Sequence, residues 1–289
     1  MSAANIARLF LLAAIWGASF LFMRIGVPVF GPGKLIVLRV GLAAVFLTAI
    51  ALWLRSPLNW RQDGRHYAVM GVFNSGLPFL LYAFAAQSLN ASLLSIINAA
   101  TPIYGALVAA IWLRTPLTRS AVLGLAMGFG GVLLIIGSNA GIHGEGAMLA
   151  TLAALAAPLG YAIATSYAKK YASHIAAFDQ AHGSLWSATL TVLPLALLIP
   201  ARGTPIITDW LAVTALAVLC TGWAYLIYFR LVRDIGPART LTVTFLIPVF
   251  GVLWGALFLQ ETITASMLLG GSIVLLGTAL ANGLIRQRS

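Results

Sequence analysis

Charge is scarce in this sequence. Only 8% of its 289 residues are Asp, Glu, Lys or Arg, whereas 61% are hydrophobic. Soluble domains carry roughly 25% charged residues, so the composition excludes a water-soluble globular protein, a disordered chain and a fibre. The single cysteine, Cys220, excludes an internal disulfide and any metal or iron–sulfur site built from several cysteines. The mean hydropathy of +0.99 instead predicts a membrane protein.

Acidic residues are the rarest charges, with six Asp and Glu against 17 Lys and Arg. They are Asp63, Glu145, Asp179, Asp209, Asp234 and Glu261. All six fall in loops or at the ends of apolar stretches, although buried carboxylates are the usual proton relays and cation sites of membrane transporters. This argues against a proton-coupled antiporter of cationic drugs and against an intramembrane aspartic protease. The four histidines are not at metal-ligand spacing. We therefore expect no enzyme activity, no metal and no cofactor.

The net charge of +11 does not indicate a nucleic-acid partner, because the Lys and Arg residues are scattered between apolar runs instead of clustering on one face. In a membrane protein such an excess is an orientation signal. With the amino terminus in the cytoplasm, thirteen of the 17 Lys and Arg residues fall on the cytoplasmic side. We expect a multi-pass protein of the cell (inner) membrane with both termini cytoplasmic.

Dividing the chain at its charged residues gives ten apolar stretches, each close to the about 20 residues that a helix needs to cross a bilayer. The predicted spans are 6–27, 35–54, 67–87, 92–113, 120–138, 147–168, 180–200, 210–229, 240–260 and 266–285. Few residues remain for loops, so a sizeable water-soluble domain is excluded. The predicted fold class is an all-α membrane protein with ten transmembrane helices.

The second half of the chain repeats the first at an offset of 146 positions, without a gap from about 76 to 131. Aligned pairs include Gly76 and Gly222, Tyr82 and Tyr228, Pro102 and Pro248, and Gly131 and Gly277. Each unit holds five spans, an odd number, so the second unit must be inverted. We predict two inverted five-helix repeats, 1–140 and 141–289, in one compact membrane domain. Inverted repeats are common in secondary transporters, whose substrate site lies near the midplane between the halves.

Short motifs in both repeats carry a family resemblance. They are Ala14-Ile15-Trp16-Gly17, Leu38-Arg39, Ala99-Ala100-Thr101-Pro102-Ile103, Phe245-Leu246-Ile247-Pro248-Val249 and Leu259-Gln260-Glu261-Thr262-Ile263-Thr264 followed by Gly270. Over almost its whole length the chain resembles the drug/metabolite transporter superfamily, specifically the ten-helix EamA-type branch. The resemblance implies that spans one to four and six to nine surround a central cavity, with spans five and ten peripheral. The family usually has a Glu after the fourth span, where this chain has Thr115. The aromatic residues resemble those of amino acid exporters, including exporters of aromatic amino acids.

Aromatic and polar side chains lie deep inside several predicted spans. Buried Trp and Tyr need hydrogen-bond partners, and polar residues recur near them at helical spacing, such as Asn74, Pro78 and Tyr82. Either interhelical hydrogen bonding or a wet cavity explains this pattern, and we favour the cavity. The predicted substrate-binding residues are Trp16, Phe20, Arg39, Asn74, Pro78, Tyr82, Asn98, Tyr161, Trp186, Trp223, Tyr225 and Tyr228.

Three further features have open interpretations. Arg39, about one turn inside the second span, could bind a substrate carboxylate, extend to the membrane surface or hold helix-end carbonyls. Pro102 and Pro248 each remove a backbone donor, and we predict that they act as paired hinges. Glycines in spans five and ten allow close helix approach, either within a monomer or across a homodimer.

These features together predict a secondary transporter that exports small organic solutes by alternating access. Amino acids with aromatic or other apolar side chains, and related metabolites, are the favoured substrates. One alternative is a transporter of phosphate-bearing metabolites such as sugar phosphates, which would need several cationic residues at mid-cavity. The other is a polytopic membrane enzyme, which would need a polar catalytic cluster at an interface.

Overall fold

The computed structural model describes residues 1–138, 142, 144, 146–199 and 201–281, and this part of the chain is helical apart from short turns and one isolated β-bridge between Leu89 and Ile142. The predicted all-helical class therefore agrees with the described structure. The helices are α1 (Ala3–Leu54), α2 (Trp60–Ala85), α3 (Ala91–Trp112), α4 (Arg119–Gly137), α5 (Ala147–Tyr171), α6 (Ala177–Leu198), α7 (Ile207–Ile235), α8 (Val243–Leu259) and α9 (Ala265–Ala281). A single helical turn, Pro237–Thr240, separates α7 from α8.

Within the described residues, α1 to α7 are long and apolar enough to cross a membrane, whereas α8 and α9 are apolar but only 17 residues long. The chain is therefore a multi-pass membrane protein, and the count of ten crossings stays a prediction. The end of the tenth predicted span, 282–285, lies outside the described residues, as do Glu145 and the carboxyl-terminal arginines.

Helix α1 spans 52 residues but is not one straight rod, because Gly31 has φ 70° and ψ 163°. Glycine adopts positive φ without a steric penalty, and the residue before a proline disfavours the α conformation. The Gly31-Pro32 pair therefore breaks α1 into two rods, 3–30 and 32–54. This break separates the first two predicted spans.

The outward surface of the bundle is apolar. Large side chains such as Ile111, Leu133, Leu197 and Leu198 are at least 67% exposed. A soluble monomer rarely exposes large contiguous apolar patches, whereas lipid covers them without cost. This surface is what a bilayer-embedded bundle requires.

One end of the bundle, which we call the N end, carries the start of α1. Arg8 Nη1 lies 3.3 Å from Asp234 Oδ2, joining α1 to the end of α7. Ser56 Oγ donates to Asp179 Oδ1 at 2.9 Å, joining the end of α1 to the start of α6. Because Leu35 of the second rod lies against Gly26 of the first, α1 folds back at Gly31, and both of its ends therefore lie at the N end.

The opposite end, which we call the far end, is tied by different contacts. Arg24 Nη1 donates to the carbonyl of Ala86 at 2.7 Å, and this binds the end of α2. Glu261, just after α8, accepts hydrogen bonds from the backbone N–H groups of Ala91 and Ser92 at 2.7 and 3.0 Å, and from the Ser92 hydroxyl at 2.5 Å. A carboxylate at a helix N-terminus satisfies free donors and complements the helix dipole. Glu261 thus ties α8 to the first turn of α3.

Two helices contain π-helical segments, Gly71–Gly76 in α2 and Ala215–Trp223 in α7. The offset of 146 that aligns the two sequence halves also aligns these segments, since Gly76 matches Gly222. Short π segments within helices are frequent at functional sites because they rotate the following side chains. Both halves of the chain therefore carry the same local distortion.

Helices α4 and α9 pack through their glycines. A Cβ added to Gly131 would lie 2.6 Å from the Gly270 carbonyl, and one added to Gly277 would lie 2.6 Å from the Gly124 carbonyl. Only glycine permits such close backbone approach. The glycines of spans five and ten thus pack against each other within one chain. A homodimer through the same spans stays a prediction.

Candidate functional site

A cavity of about 670 Å³ lies in the middle of the bundle. Among the described helices, both rods of α1 and parts of α2, α3, α5, α6, α7 and α8 line it, whereas α4 and α9 contribute no lining residue. Ligand sites in proteins occupy roughly 300–1,000 Å³, so the cavity has room for a small organic molecule.

The cavity is open at one end only. Its lining includes Arg233 and Leu241 at the N end, where the Arg233 side chain is 69% exposed. At the other limit the lining consists of buried side chains such as Met23 and Tyr82, which are 2% and 1% exposed. The cavity is therefore a dead end that is closed toward the far end.

Nine of the twelve predicted substrate-binding residues line this cavity. They are Trp16, Phe20, Arg39, Asn74, Tyr82, Asn98, Tyr161, Tyr225 and Tyr228. They come from five helices and alternate with apolar neighbours, because each helix presents one face to the centre. The structure brings them together, and their role in substrate binding stays a prediction.

Aromatic contacts build the walls. Trp16 and Tyr228 have ring centroids 5.6 Å apart, and Phe20 meets Tyr82 edge to face at 5.5 Å. The first pair joins α1 to α7 and the second joins α1 to α2. Aromatic faces and edges of this kind can contact planar or apolar groups of a ligand.

Polar atoms in the walls are linked to one another. The Tyr82 hydroxyl donates to Asn98 Oδ1 at 3.2 Å, and Asn74 Nδ2 donates to the Tyr225 hydroxyl at 3.4 Å. Either interhelical hydrogen bonding or a cavity can explain the polar residues at helical spacing. Both explanations apply, because residues that hydrogen-bond between helices also face the cavity. Asn74 lies in the π segment of α2, which sets the direction of its side chain.

Arg39 is the deeply buried cation of this site and is 3% exposed. Its Cζ lies 3.6 Å from the centroid of the Phe79 ring, and its Nε donates to Thr221 Oγ1 at 3.1 Å. Thr221 in turn donates to the carbonyl of Leu216 within the π segment of α7, at 3.0 Å. Arg39 therefore neither extends to the membrane surface nor holds a helix-end carbonyl.

Three predicted binding residues lie elsewhere, and their placement corrects the expectation that they line the central cavity. Pro78 is buried against Gly160. Trp186 donates from Nε1 to Thr48 Oγ1 at 3.0 Å and lines a second cavity between α1 and α6. Trp223 is 50% exposed on the outer surface. Depth within a span does not determine the direction of a side chain around the helix axis.

The two predicted hinge prolines differ in their surroundings. Before Pro102, α3 is interrupted by a turn at residues 99–100, and the carbonyl of Asn98 accepts from Thr101 Oγ1 at 2.6 Å. Pro248 is buried inside α8, which is continuous across it. A local break is thus present at Pro102, and a hinge role for both prolines stays a prediction.

The sequence analysis missed several lining residues, among them Phe79, Gln180 and Ser184. Gln180 and Ser184 are four residues apart, so a polar stripe at helical spacing was available as a signal. Phe79 gave no signal, because an isolated Phe in an apolar span has no distinguishing pattern. Within the described part of the chain, no three His, Cys, Asp or Glu side chains come together as a metal site would require.

The fold and the cavity define a class: a multi-pass helical membrane protein with a dead-end central cavity. A model of the EamA-like transporter family matches residues 5–137 and again residues 148–283. The chain belongs to the EamA-like transporter family, and the predicted family membership is confirmed.

Individual relatives are distant but match nearly end to end. The chain is 27% identical over 283 residues to the uncharacterized transporter YvbV of Bacillus subtilis (strain 168), covering 94% of this chain and 89% of that one. It is 26% identical over 285 residues to a protein of Escherichia coli (strain K12) named a probable amino-acid metabolite efflux pump, with 92% and 91% covered. A crystal structure at 19% identity covers 98% of both chains with a TM-score of 0.66. That likeness shows the fold alone.

Proposed function

We propose that this protein is a secondary transporter that exports small organic solutes by alternating access. Its favoured cargo is amino acids with aromatic or other apolar side chains, and related metabolites. The observation that carries the proposal is the central cavity, which has aromatic and amide walls and is open only toward the N end. A transporter resting in one of its two states requires a cavity of this kind.

The architecture we propose has ten crossings in two inverted five-helix repeats, 1–140 and 141–289. The family model matches each half separately, which supports the repeat. The π segments at equivalent positions in α2 and α7 support it as well. The inversion is supported by direction. The second rod of α1 ends beside the start of α6, its equivalent in the second repeat, since Ser56 follows the rod and binds Asp179 in the first turn of α6. In a parallel repeat the two would begin at the same end of the bundle.

We further propose that the N end faces the cytoplasm of the cell (inner) membrane. The support is the excess of Lys and Arg in the predicted cytoplasmic loops. In this orientation the cavity is open to the cytoplasm, the side from which an exporter binds its cargo. The Escherichia coli relative is named a probable amino-acid metabolite efflux pump, which supports the same direction and substrate class.

A phosphate-bearing cargo is disfavoured by the charges of the site. Such a cargo carries more than one negative charge near neutral pH. In the deep part of the cavity, Arg39 is the one cationic side chain among the described lining residues, and Arg233 lies at the mouth. Relatives named as transporters and as an efflux pump also favour transport over membrane-enzyme chemistry.

The test is counterflow into proteoliposomes loaded with unlabelled solute, using labelled phenylalanine, alanine and glucose 6-phosphate. We expect phenylalanine to accumulate faster than in protein-free vesicles. Trp16→Ala removes an aromatic side chain from the cavity wall. It should slow the uptake of phenylalanine about tenfold and the uptake of alanine much less, because buried aromatic contacts contribute roughly a kcal/mol beyond the burial of their area.

Trp223→Ala is the matched control, because it removes the same side chain from the outer surface and should leave all three rates unchanged. The proposal fails if no amino acid moves faster than in empty vesicles. It also fails if glucose 6-phosphate is the cargo that moves fastest.

A further inference from the structure

We propose that Arg39 forms a binding site for a carboxylate, and that the cavity selects aromatic carboxylates with one net negative charge. This inference rests on the proposed transport function, and among the amino acids and related metabolites proposed there it favours aromatic acids with one net negative charge over zwitterions. It depends on the position of the Arg39 guanidinium, on the charges around it and on the donors that share its cavity.

The Arg39 charge has no counter-ion within the described residues. Each described acid has other partners: Asp63 binds His174, Asp179 binds Ser56, Asp209 binds the Ile206 N–H, Asp234 binds Arg8, Arg230 and Arg233, and Glu261 binds Ala91 and Ser92. A charge inside a membrane is unfavourable unless it is paired or reaches water. A negative group on the cargo would provide the missing partner.

Two contacts hold the Arg39 guanidinium in place, and the edge that carries Nη1 has no hydrogen-bond partner among the described residues. Thr221 fixes Nε, and the Phe79 ring covers one face at 3.6 Å. Nη1 is buried and makes no hydrogen bond with the described residues. A planar carboxylate matches the fork of a guanidinium, so it can bind the free edge while Thr221 and Phe79 keep the group from rotating.

A second unused donor lies in the same cavity. Gln180 Nε2, on α6, is buried without a hydrogen-bond partner among the described residues. Buried donors without partners are unfavourable, and such groups in native proteins call for an explanation. Two unused N–H donors, and no carboxylate among the described lining residues, favour a cargo that brings acceptors.

The aromatic walls adjoin this polar site. Phe79, beneath the guanidinium, also contacts the ring of Tyr161, with centroids 6.5 Å apart. A cargo whose carboxylate meets Arg39 therefore has rings beside it. A zwitterionic amino acid brings no net charge and leaves the site positive, whereas a singly negative aromatic acid neutralises it. We thus expect the anion to bind more tightly than the zwitterion.

The experiment compares four probes that share a phenyl ring but differ in charge: 3-phenylpropionate, phenylalanine, 3-phenylpropanol and phenylethylamine. Binding to the purified full-length protein is measured by calorimetry in detergent, and uptake is measured in proteoliposomes. We expect 3-phenylpropionate to bind most tightly, phenylalanine less tightly, and the alcohol and the amine least tightly.

Arg39→Gln should weaken 3-phenylpropionate binding at least about 30-fold and remove the preference for the anion, while leaving the alcohol nearly unchanged. Arg39→Lys keeps the charge but not the fork and should retain part of the preference. Arg65→Gln is the control, because it removes an exposed arginine on α2 outside the cavity lining. It should bind 3-phenylpropionate as tightly as the wild type does. Retained binding of the alcohol shows that a variant is folded.

The inference is overturned if Arg39→Gln or Arg39→Lys binds 3-phenylpropionate as the wild type does, or if the wild type binds the amine as tightly as the acid. If Arg39→Gln does not fold, the binding of 3-phenylpropionate to Arg39→Lys decides the test. Failure of the proposed function has a different signature, namely anion binding that depends on Arg39 together with no uptake of any probe.

Discussion

The contact between Glu261 and α3 gives a sharp test of how the far end is kept closed. Glu261→Gln keeps the size of the side chain but removes its charge and replaces one acceptor oxygen with an amide that faces N–H donors. Hydrogen bonds to charged groups each contribute about 1.5–3 kcal/mol, and a carboxylate at a helix N-terminus adds about 0.3–1 kcal/mol. Because glutamine retains one acceptor, we expect a net loss of about 2–3 kcal/mol in the closed arrangement.

If this contact exists only when the far end is closed, such a loss raises the population of the far-end-open state at least about 30-fold. Cys220 is a natural reporter, because it lines the cavity and is the single cysteine of the chain. In the proposed orientation, with the N end in the cytoplasm, a membrane-impermeant thiol reagent added to intact cells reaches Cys220 only through the far end. We expect Glu261→Gln to raise the labelling rate by an order of magnitude or more.

Asp209→Asn is the matched control, because Asp209 accepts from the backbone N–H of Ile206 in its own helix turn and forms no hydrogen bond to a second helix among the described residues. It should leave Cys220 labelling at the wild-type rate. The reasoning would be refuted if folded Glu261→Gln protein were labelled from outside no faster than the wild type. Labelling in inverted vesicles, through the N end, checks that the thiol remains reactive.

Two further predictions concern the backbone. Gly277→Val places a branched side chain against the Gly124 carbonyl. It should destabilise the protein by about 1–3 kcal/mol, which is measured as a lower thermal midpoint in detergent. Gly137→Ala is the control, because an added Cβ there meets nothing within 4 Å, and its thermal midpoint should equal that of the wild type. Gly31→Ala forces a side chain onto φ 70° and should cost about 1–2 kcal/mol; an unchanged midpoint would show that the break in α1 does not need glycine.

Much of the site follows from the sequence because helical periodicity is local. Asn74 and Tyr82 are eight residues apart and share a face, and both line the cavity. The repeat adds a second constraint, since Tyr82 and Tyr228 occupy aligned positions and both reach the same space. Positions on one face of a helix are therefore grouped without knowledge of the tertiary structure.

Other features depend on contacts between distant parts of the chain. The Glu261 bonds to α3 join residues about 170 positions apart, and no local pattern specifies them. Trp186 and Trp223 lie inside their predicted spans, as Trp16 does, yet the packing of α6 and α7 turns them away from the cavity. The π segments add a rotation that a regular helical period does not anticipate.

The Glu261 contact also bears on how the two halves exchange roles. At the offset of 146, Thr115 stands where Glu261 stands, and Pro237 stands where Ala91 stands. Threonine carries no charge and proline has no backbone N–H, so the bond between Glu261 and Ala91 has no chemical equivalent in the other half. The two halves are thus unequal, so in the proposed alternating-access cycle the two access states differ in free energy before any cargo binds. In that cycle the contact favours the arrangement whose cavity opens at the N end, and binding of cargo must contribute the free energy that populates the other arrangement.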